Sequence, residues 1–89
     1  EALRIGLTNY VCEPEELMNK TMEIANRLAK GPSVAYRYMK ENLNRALVGE
    51  VDDCMDLEAT HHVHCGQTQD HRAAVQAFVD KREPVFTGK

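Results

Sequence analysis

The densest group of side chains that could do chemistry lies at residues 61–65, where three histidines precede a cysteine. On a helix, Cys54, Glu58, His61 and Cys65 would share one face, because offsets of 4, 3 and 4 residues make helical neighbours. Four ligands spread over roughly 16 Å of one straight helix cannot close a tetrahedron around zinc. At most two could share a metal, so the spacing predicts packed or solvated histidines and no metal ligand.

A cysteine nucleophile with a histidine base is arithmetically possible for Cys65 and His61. Nothing in the sequence supplies an oxyanion hole or a third group to orient the histidine. The pair is therefore not predicted to be catalytic.

Phe78 and Lys81 form a second pair, three residues apart near the C-terminus. An aromatic ring with a cation one helical turn away could hold a nucleobase and its phosphate. Spacing alone favours a plainer interpretation, in which Phe78 lies in the core and Lys81 is its solvated neighbour.

About four helices and one short strand are predicted to position these residues. Glycines and prolines punctuate helices from Pro14 to Lys30, Ser33 to Gly49, Val51 to Cys65 and Thr68 to Glu83. Residues 7–11 are β-prone but too short to form a sheet alone. The opening turn before Gly6 is typical of a glycine-capped helix end, so we expect the chain to start inside an element.

The composition is that of a globular piece, with 43% hydrophobic and 28% charged residues among 89. A helical layer this short buries too little surface to be stable unless it docks on something. The net charge of −3 and the scattered cations give no argument for nucleic-acid binding. No apolar run is long enough for a membrane span, and three cysteines without a CxxC motif do not suit a secreted disulfide framework, which predicts a cytoplasmic protein.

Taken in order, the motifs resemble the enoyl-CoA hydratase/isomerase (crotonase) family along essentially the whole chain. The most specific stretch runs from Thr68-x-Asp70-His71-Arg72 through Ala77-Phe78-Val79-Asp80-Lys81-Arg82 to Pro84 and Phe86. The other matching stretches are residues 1–11, 14–17, 30–32, 39–44 and 57–59.

The resemblance implies a mainly α chain that forms the C-terminal helical (trimerisation) region of a crotonase-like ββα spiral fold. Residues 1–13 would end the spiral core, and residues 14–89 would form the helical oligomerisation region of a trimer or hexamer. The family stabilises a thioester enolate with two backbone N–H groups and moves protons with glutamates. The stretches that carry those glutamates do not occur here, so no catalytic residue is predicted.

By the same resemblance, Lys81 and Phe78 are expected to contact a neighbouring subunit's CoA, near the 3′-phosphate and the adenine. The implied function of the full enzyme is addition of water to a 2-enoyl-CoA, with the CoA thioester as substrate and no separate cofactor. This segment would supply oligomer contacts and part of the CoA pocket, and would be inactive alone. The alternatives are a stand-alone helical interaction module without catalysis, or another crotonase-type activity such as a CoA-ester isomerase or hydrolase.

Overall fold

The computed structural model describes residues 1–89 and contains four α-helices, which confirms the predicted helical fold class. The helices are α1 (Leu17–Ala29), α2 (Ser33–Ala46), α3 (Val51–Gly66) and α4 (Gln69–Val79). A 3-10 turn, Pro14–Glu16, leads into α1. None of these helices is both long enough and apolar enough to cross a bilayer. The predicted division after residue 13 stays a prediction.

The residues before α1 form a hydrogen-bonded turn and no strand. Leu7 donates its N–H to the carbonyl of Ala2 at 2.9 Å, Gly6 donates to Leu3 at 3.2 Å, and Gly6 has a φ of 76°. The two bonds have the pattern that ends a helix at a glycine, as expected from the sequence, but the turn belongs to no helix of this chain. The strand predicted for residues 7–11 was wrong, because a strand forms only against a neighbour and no other segment of this chain pairs with it.

Glycine and proline set the turn between α1 and α2. A Cβ on Gly31 would lie 2.0 Å from the hydroxyl oxygen of Tyr36, so any other residue there would require the Tyr36 side chain to move. Pro32 then precedes the first residue of α2. The predicted boundary between the two helices is therefore correct, although α2 ends at Ala46, three residues before Gly49.

The helices form a flat layer of 43 × 39 × 19 Å. Helix α2 packs on α3, and α3 contacts the start of α4. The radius of gyration is 16.8 Å, whereas a compact domain of this length would have about 12 Å. The accessible surface is 7699 Å², compared with about 5,300 Å² for a compact monomer of this mass. The layer thus exposes much more surface than a self-contained domain.

The layer has almost no core of its own. Ala77 is its one fully buried apolar residue, and the other two buried residues are His61 and Asp70. Each helix instead exposes large apolar side chains. Those on the helices are Leu17, Met18, Met22, Leu28, Met39, Leu43, Val51, Met55, Val63, Val75, Phe78 and Val79. Many exposed large apolar side chains on a helical layer with almost no core indicate that the layer docks on another surface.

Candidate functional site

The C-terminal end of α4 carries both residues of the predicted ligand-binding pair. Lys81 donates its backbone N–H to the carbonyl of Phe78 at 3.2 Å, and Arg82 donates to Ala77 at 2.9 Å. These two bonds form the pattern that usually ends a helix at a glycine. Here the glycine position is held by Lys81, whose φ is 54°. No other residue except glycine has a positive φ in this chain, and the left-handed region costs free energy for any side chain with a Cβ.

The Phe78 ring does not lie in the core of this chain. It is 85% exposed, so the expectation drawn from spacing alone was wrong. The buried apolar position on α4 belongs to the small neighbour Ala77, which is 0% exposed. An exposed phenylalanine one turn before a lysine leaves an apolar ring and a cation open at the same helix end.

Lys81 is the free cation of this helix end. The Asp80 carboxylate beside it accepts a hydrogen bond from the Gln76 side-chain amide at 2.8 Å and one from Arg82 Nε at 3.3 Å. Lys81 itself forms no ion pair. Because Arg82 balances the charge of Asp80, the Lys81 ammonium remains available to an external anion.

The buried carboxylate of Asp70, at the other end of α4, holds the C-terminal segment, residues 83–89. Thr87 donates its backbone N–H to Asp70 Oδ1 at 2.7 Å and its hydroxyl to the same oxygen at 3.1 Å. Gly88 donates its N–H to Oδ2 at 2.8 Å. The Thr87 N–H is the largest cause that lowers the pKa of the Asp70 carboxyl, and burial acts in the opposite direction. We call these three hydrogen bonds the tail contact.

Apolar packing supports the tail contact. Phe86 is half-buried and lines a cavity of about 230 Å³ with Ala35 of α2 and Ala74 of α4. Gly88 has a φ of 78°, and a Cβ there would lie 2.9 Å from Ser33 Oγ at the start of α2. The C-terminal segment therefore lies against the N-terminal ends of two helices.

His61 belongs to the α2–α3 contact. Its Nδ1 lies 2.5 Å from Asn42 Oδ1, its Nε2 lies 3.6 Å from Glu41 Oε2, and its ring stacks on Tyr38 with centroids 4.2 Å apart. His62 is exposed. No three His, Cys, Asp or Glu side chains come close enough together to bind one metal ion. The structure thus places His61 in packing rather than beside a paired nucleophile.

Two features of the site were missed by sequence reasoning. From the sequence alone, Asp70 is named only as part of the Thr68-x-Asp70-His71-Arg72 stretch, although Thr87 and Gly88 offer it two adjacent N–H donors. Asn42 interrupts the apolar positions Met39 and Leu43 of α2, and this is the residue that meets His61. Asp70 and Asn42 are both polar, and the helical periodicity of the sequence does not predict which residues they contact.

The structure is a helical layer that exposes the Phe78 ring and the Lys81 cation at the end of α4. Its apolar helix faces are not covered by this chain, so they need another surface to bury them. The family model described as enoyl-CoA hydratase/isomerase matches residues 1–89, and the chain belongs to this family. The short-chain-enoyl-CoA hydratase of Clostridium acetobutylicum is 41% identical over 83 residues, which is 93% of this chain and 32% of that protein. The crotonyl-CoA hydratase of Syntrophomonas wolfei is 37% identical over 89 residues, 100% of this chain and 34% of that protein.

Solved structures agree with the fold. An enoyl-CoA hydratase subunit I from Geobacillus kaustophilus superposes with a TM-score of 0.91 at 35% identity, covering 99% of this chain and 34% of that one. The chain thus spans about a third of the length of the curated relatives it matches.

Proposed function

We propose that this chain is the C-terminal portion of an enzyme that adds water to a 2-enoyl-CoA thioester, and that its α4 end forms part of the CoA pocket. The observation that carries the pocket role is the exposed Phe78 beside the unpaired Lys81, held at one helix end. The relatives named as hydratases of short-chain enoyl-CoA and crotonyl-CoA support the reaction.

Lys81 would pair with the 3′-phosphate of CoA and Phe78 would lie against the adenine. A phosphate next to an ammonium makes a charge-assisted hydrogen bond, which is stronger than a neutral one. The exposed face of Phe78 can stack on a purine without a matched hydrogen-bond pattern. This helix end binds the part of the substrate that does not react, so it contributes affinity and orientation.

The segment would also supply oligomer contacts and dock on the remaining part of its own polypeptide. Its surface exceeds that of a compact monomer by about 2,400 Å², whereas a stable interface takes about 800 Å² from each partner. The open apolar faces of α1 to α4 are therefore large enough for more than one contact. We propose a trimer or hexamer in the cytoplasm.

Proton transfer in the reaction would fall to residues outside this segment. No side chain near Phe78 and Lys81 forms an acid–base pair, since Asp80 is taken up by Gln76 and Arg82. A related CoA-ester isomerase or hydrolase would use the same helix end, and a stand-alone helical module would use only the apolar faces.

The test compares the full-length polypeptide that carries this segment with residues 1–89 alone, using a short-chain 2-enoyl-CoA as substrate. We expect hydration and a trimer or hexamer by analytical ultracentrifugation for the full-length protein, and no hydration by the segment. Isomerisation of a 3-enoyl-CoA or hydrolysis of an acyl-CoA, without hydration, would contradict the proposed reaction and favour the other family activity. A full-length protein with none of these activities, and a segment that forms a defined oligomer alone, would favour the interaction module.

A further inference from the structure

The tail contact and Lys81 lie at opposite ends of α4 but belong to one continuous stretch of chain. The chain leaves α4 at Val79, turns through Lys81 and returns beside the helix to Asp70 at its first turn. The two ends of this return are both fixed by hydrogen bonds, through Ala77 at the turn and through Asp70 at the far end.

The segment from Arg82 to Thr87 is short for the distance that it has to span. The five peptide steps from Arg82 to Thr87 reach about 17 Å at most when fully extended. The rise of α4 between Ala77 and Asp70 is about 10 Å, and a perpendicular step of about 8–10 Å between packed segments makes the straight-line distance about 13–14 Å. The segment must therefore be mostly extended, so its anchor at Asp70 restrains the turn at Lys81.

The turn needs such a restraint because its conformation is unfavourable for lysine. A residue with a Cβ prefers the right-handed helical region, which would simply extend α4 through Asp80 and Lys81. That extension would carry residues 83–89 away from Asp70 and turn the Lys81 side chain to a different side of the helix. An unusual backbone angle persists only where its surroundings hold it.

We infer that the hydrogen bonds from Thr87 and Gly88 to Asp70 hold Lys81 in its left-handed conformation and so set the position of its ammonium group. Asp70 is then a positioning residue for the anion-binding end of α4, although it never touches the ligand. This inference rests on the proposed role of Lys81 toward the 3′-phosphate of a CoA ester. The pKa of Asp70, lowered by its N–H donors, agrees with a carboxylate that stays charged while it holds the segment.

The test is a double-mutant cycle in the full-length protein with Asp70→Asn, Lys81→Gln and both together. The readout is the ratio of dissociation constants for 3′-dephospho-CoA and CoA, which isolates the interaction with the phosphate. Lys81→Gln is expected to reduce this ratio by about 10- to 100-fold, the value of one hydrogen bond to a charged group. Asp70→Asn is expected to reduce it in the same direction, and the double variant should lose no more than Lys81→Gln alone.

A second readout follows the segment without any ligand. Hydrogen exchange of the Thr87 and Gly88 amides should accelerate at least about tenfold in Asp70→Asn, because one of the two carboxylate acceptors is replaced by a donor. The matched control is Asp52→Asn, since Asp52 is also a first-turn carboxylate but is exposed and holds no segment. This control should change neither readout.

The outcomes separate the two proposals. An unchanged ratio in Lys81→Gln would contradict the proposed phosphate contact itself. A reduced ratio in Lys81→Gln with an unchanged ratio in Asp70→Asn, or unchanged amide exchange at residues 87–88, would overturn the positioning role alone. If Asp70→Asn does not fold, Thr87→Val removes only the hydroxyl donor; it should still lower the ratio, and no change in that variant would overturn the inference.

Discussion

Lys81 donates its backbone N–H to the carbonyl of Phe78 at 3.2 Å, so the two residues of the proposed CoA contact form one hydrogen-bonded helix end. The bond closes the last turn of α4 with lysine at the position usually held by glycine. The backbone of Lys81 is therefore held at a fixed place relative to that of Phe78, at a cost in backbone free energy.

That cost leads to a prediction about stability. Lys81→Gly should raise the free energy of unfolding of the full-length protein by up to about 1 kcal/mol, because glycine adopts a positive φ without a steric penalty. Lys81→Ala keeps the Cβ and should give no such gain, and both variants should bind CoA esters more weakly. Urea unfolding at one fixed protein concentration measures the difference. If Lys81→Gly is no more stable than Lys81→Ala, the positive φ of Lys81 has no measurable cost in the free energy of unfolding.

The lowered pKa of Asp70 predicts how its contribution to stability depends on pH. The carboxyl titrates below its ordinary value of 3.8 in the folded state, and near about 3.9 when unfolded. Its contribution is therefore fully present above the unfolded value and is lost as the pH falls through the folded one. The stability gap between wild type and Asp70→Asn should stay constant above about pH 5 and close below about pH 4.

Urea titrations of both proteins across this range measure that gap. The other carboxylates titrate alike in the two proteins, so they cancel in the difference. A gap that stays constant down to the lowest pH at which both proteins fold would contradict the lowered pKa.

His61 should contribute to stability through the α2–α3 contact. His61→Ala removes the stack on Tyr38 and leaves Asn42 without its partner, which should lower the free energy of unfolding by about 1–3 kcal/mol. His62→Ala is the matched control, because its side chain is exposed on the same helix, and should stay within about 0.5 kcal/mol of wild type. Equal effects of the two changes would refute the packing role of His61.

The sequence predicted the helices well because local signals define them. Gly31 and Pro32 separate α1 from α2, and Thr68 accepts a hydrogen bond from the N–H of His71 as the first cap of α4. The end of α4 was placed too late, at Glu83, because lysine is not a residue type that ordinarily enters the left-handed region. No local sequence pattern predicts that Lys81 adopts the left-handed conformation.

The contacts between distant residues could not be predicted in the same way. The partners Asp70 and Thr87 are 17 residues apart, and Asn42 and His61 are 19 apart. Whether such polar residues meet depends on how the helices pack, which periodicity does not specify. The exposure of Phe78 has the same origin, since the apolar face of α4 is open in this chain.

The most direct test of the CoA-binding role is isothermal titration of the full-length protein with CoA and with 3′-dephospho-CoA. The comparison uses wild type, Lys81→Glu and Lys30→Glu, because Lys30 is also exposed at the end of a helix. We predict that wild type and Lys30→Glu each bind CoA at least about 10-fold more tightly than they bind dephospho-CoA. Lys81→Glu should abolish this preference, because it places a negative charge against the phosphate. Equal affinities for the two ligands in wild type, or a preference that survives in Lys81→Glu, would contradict the account.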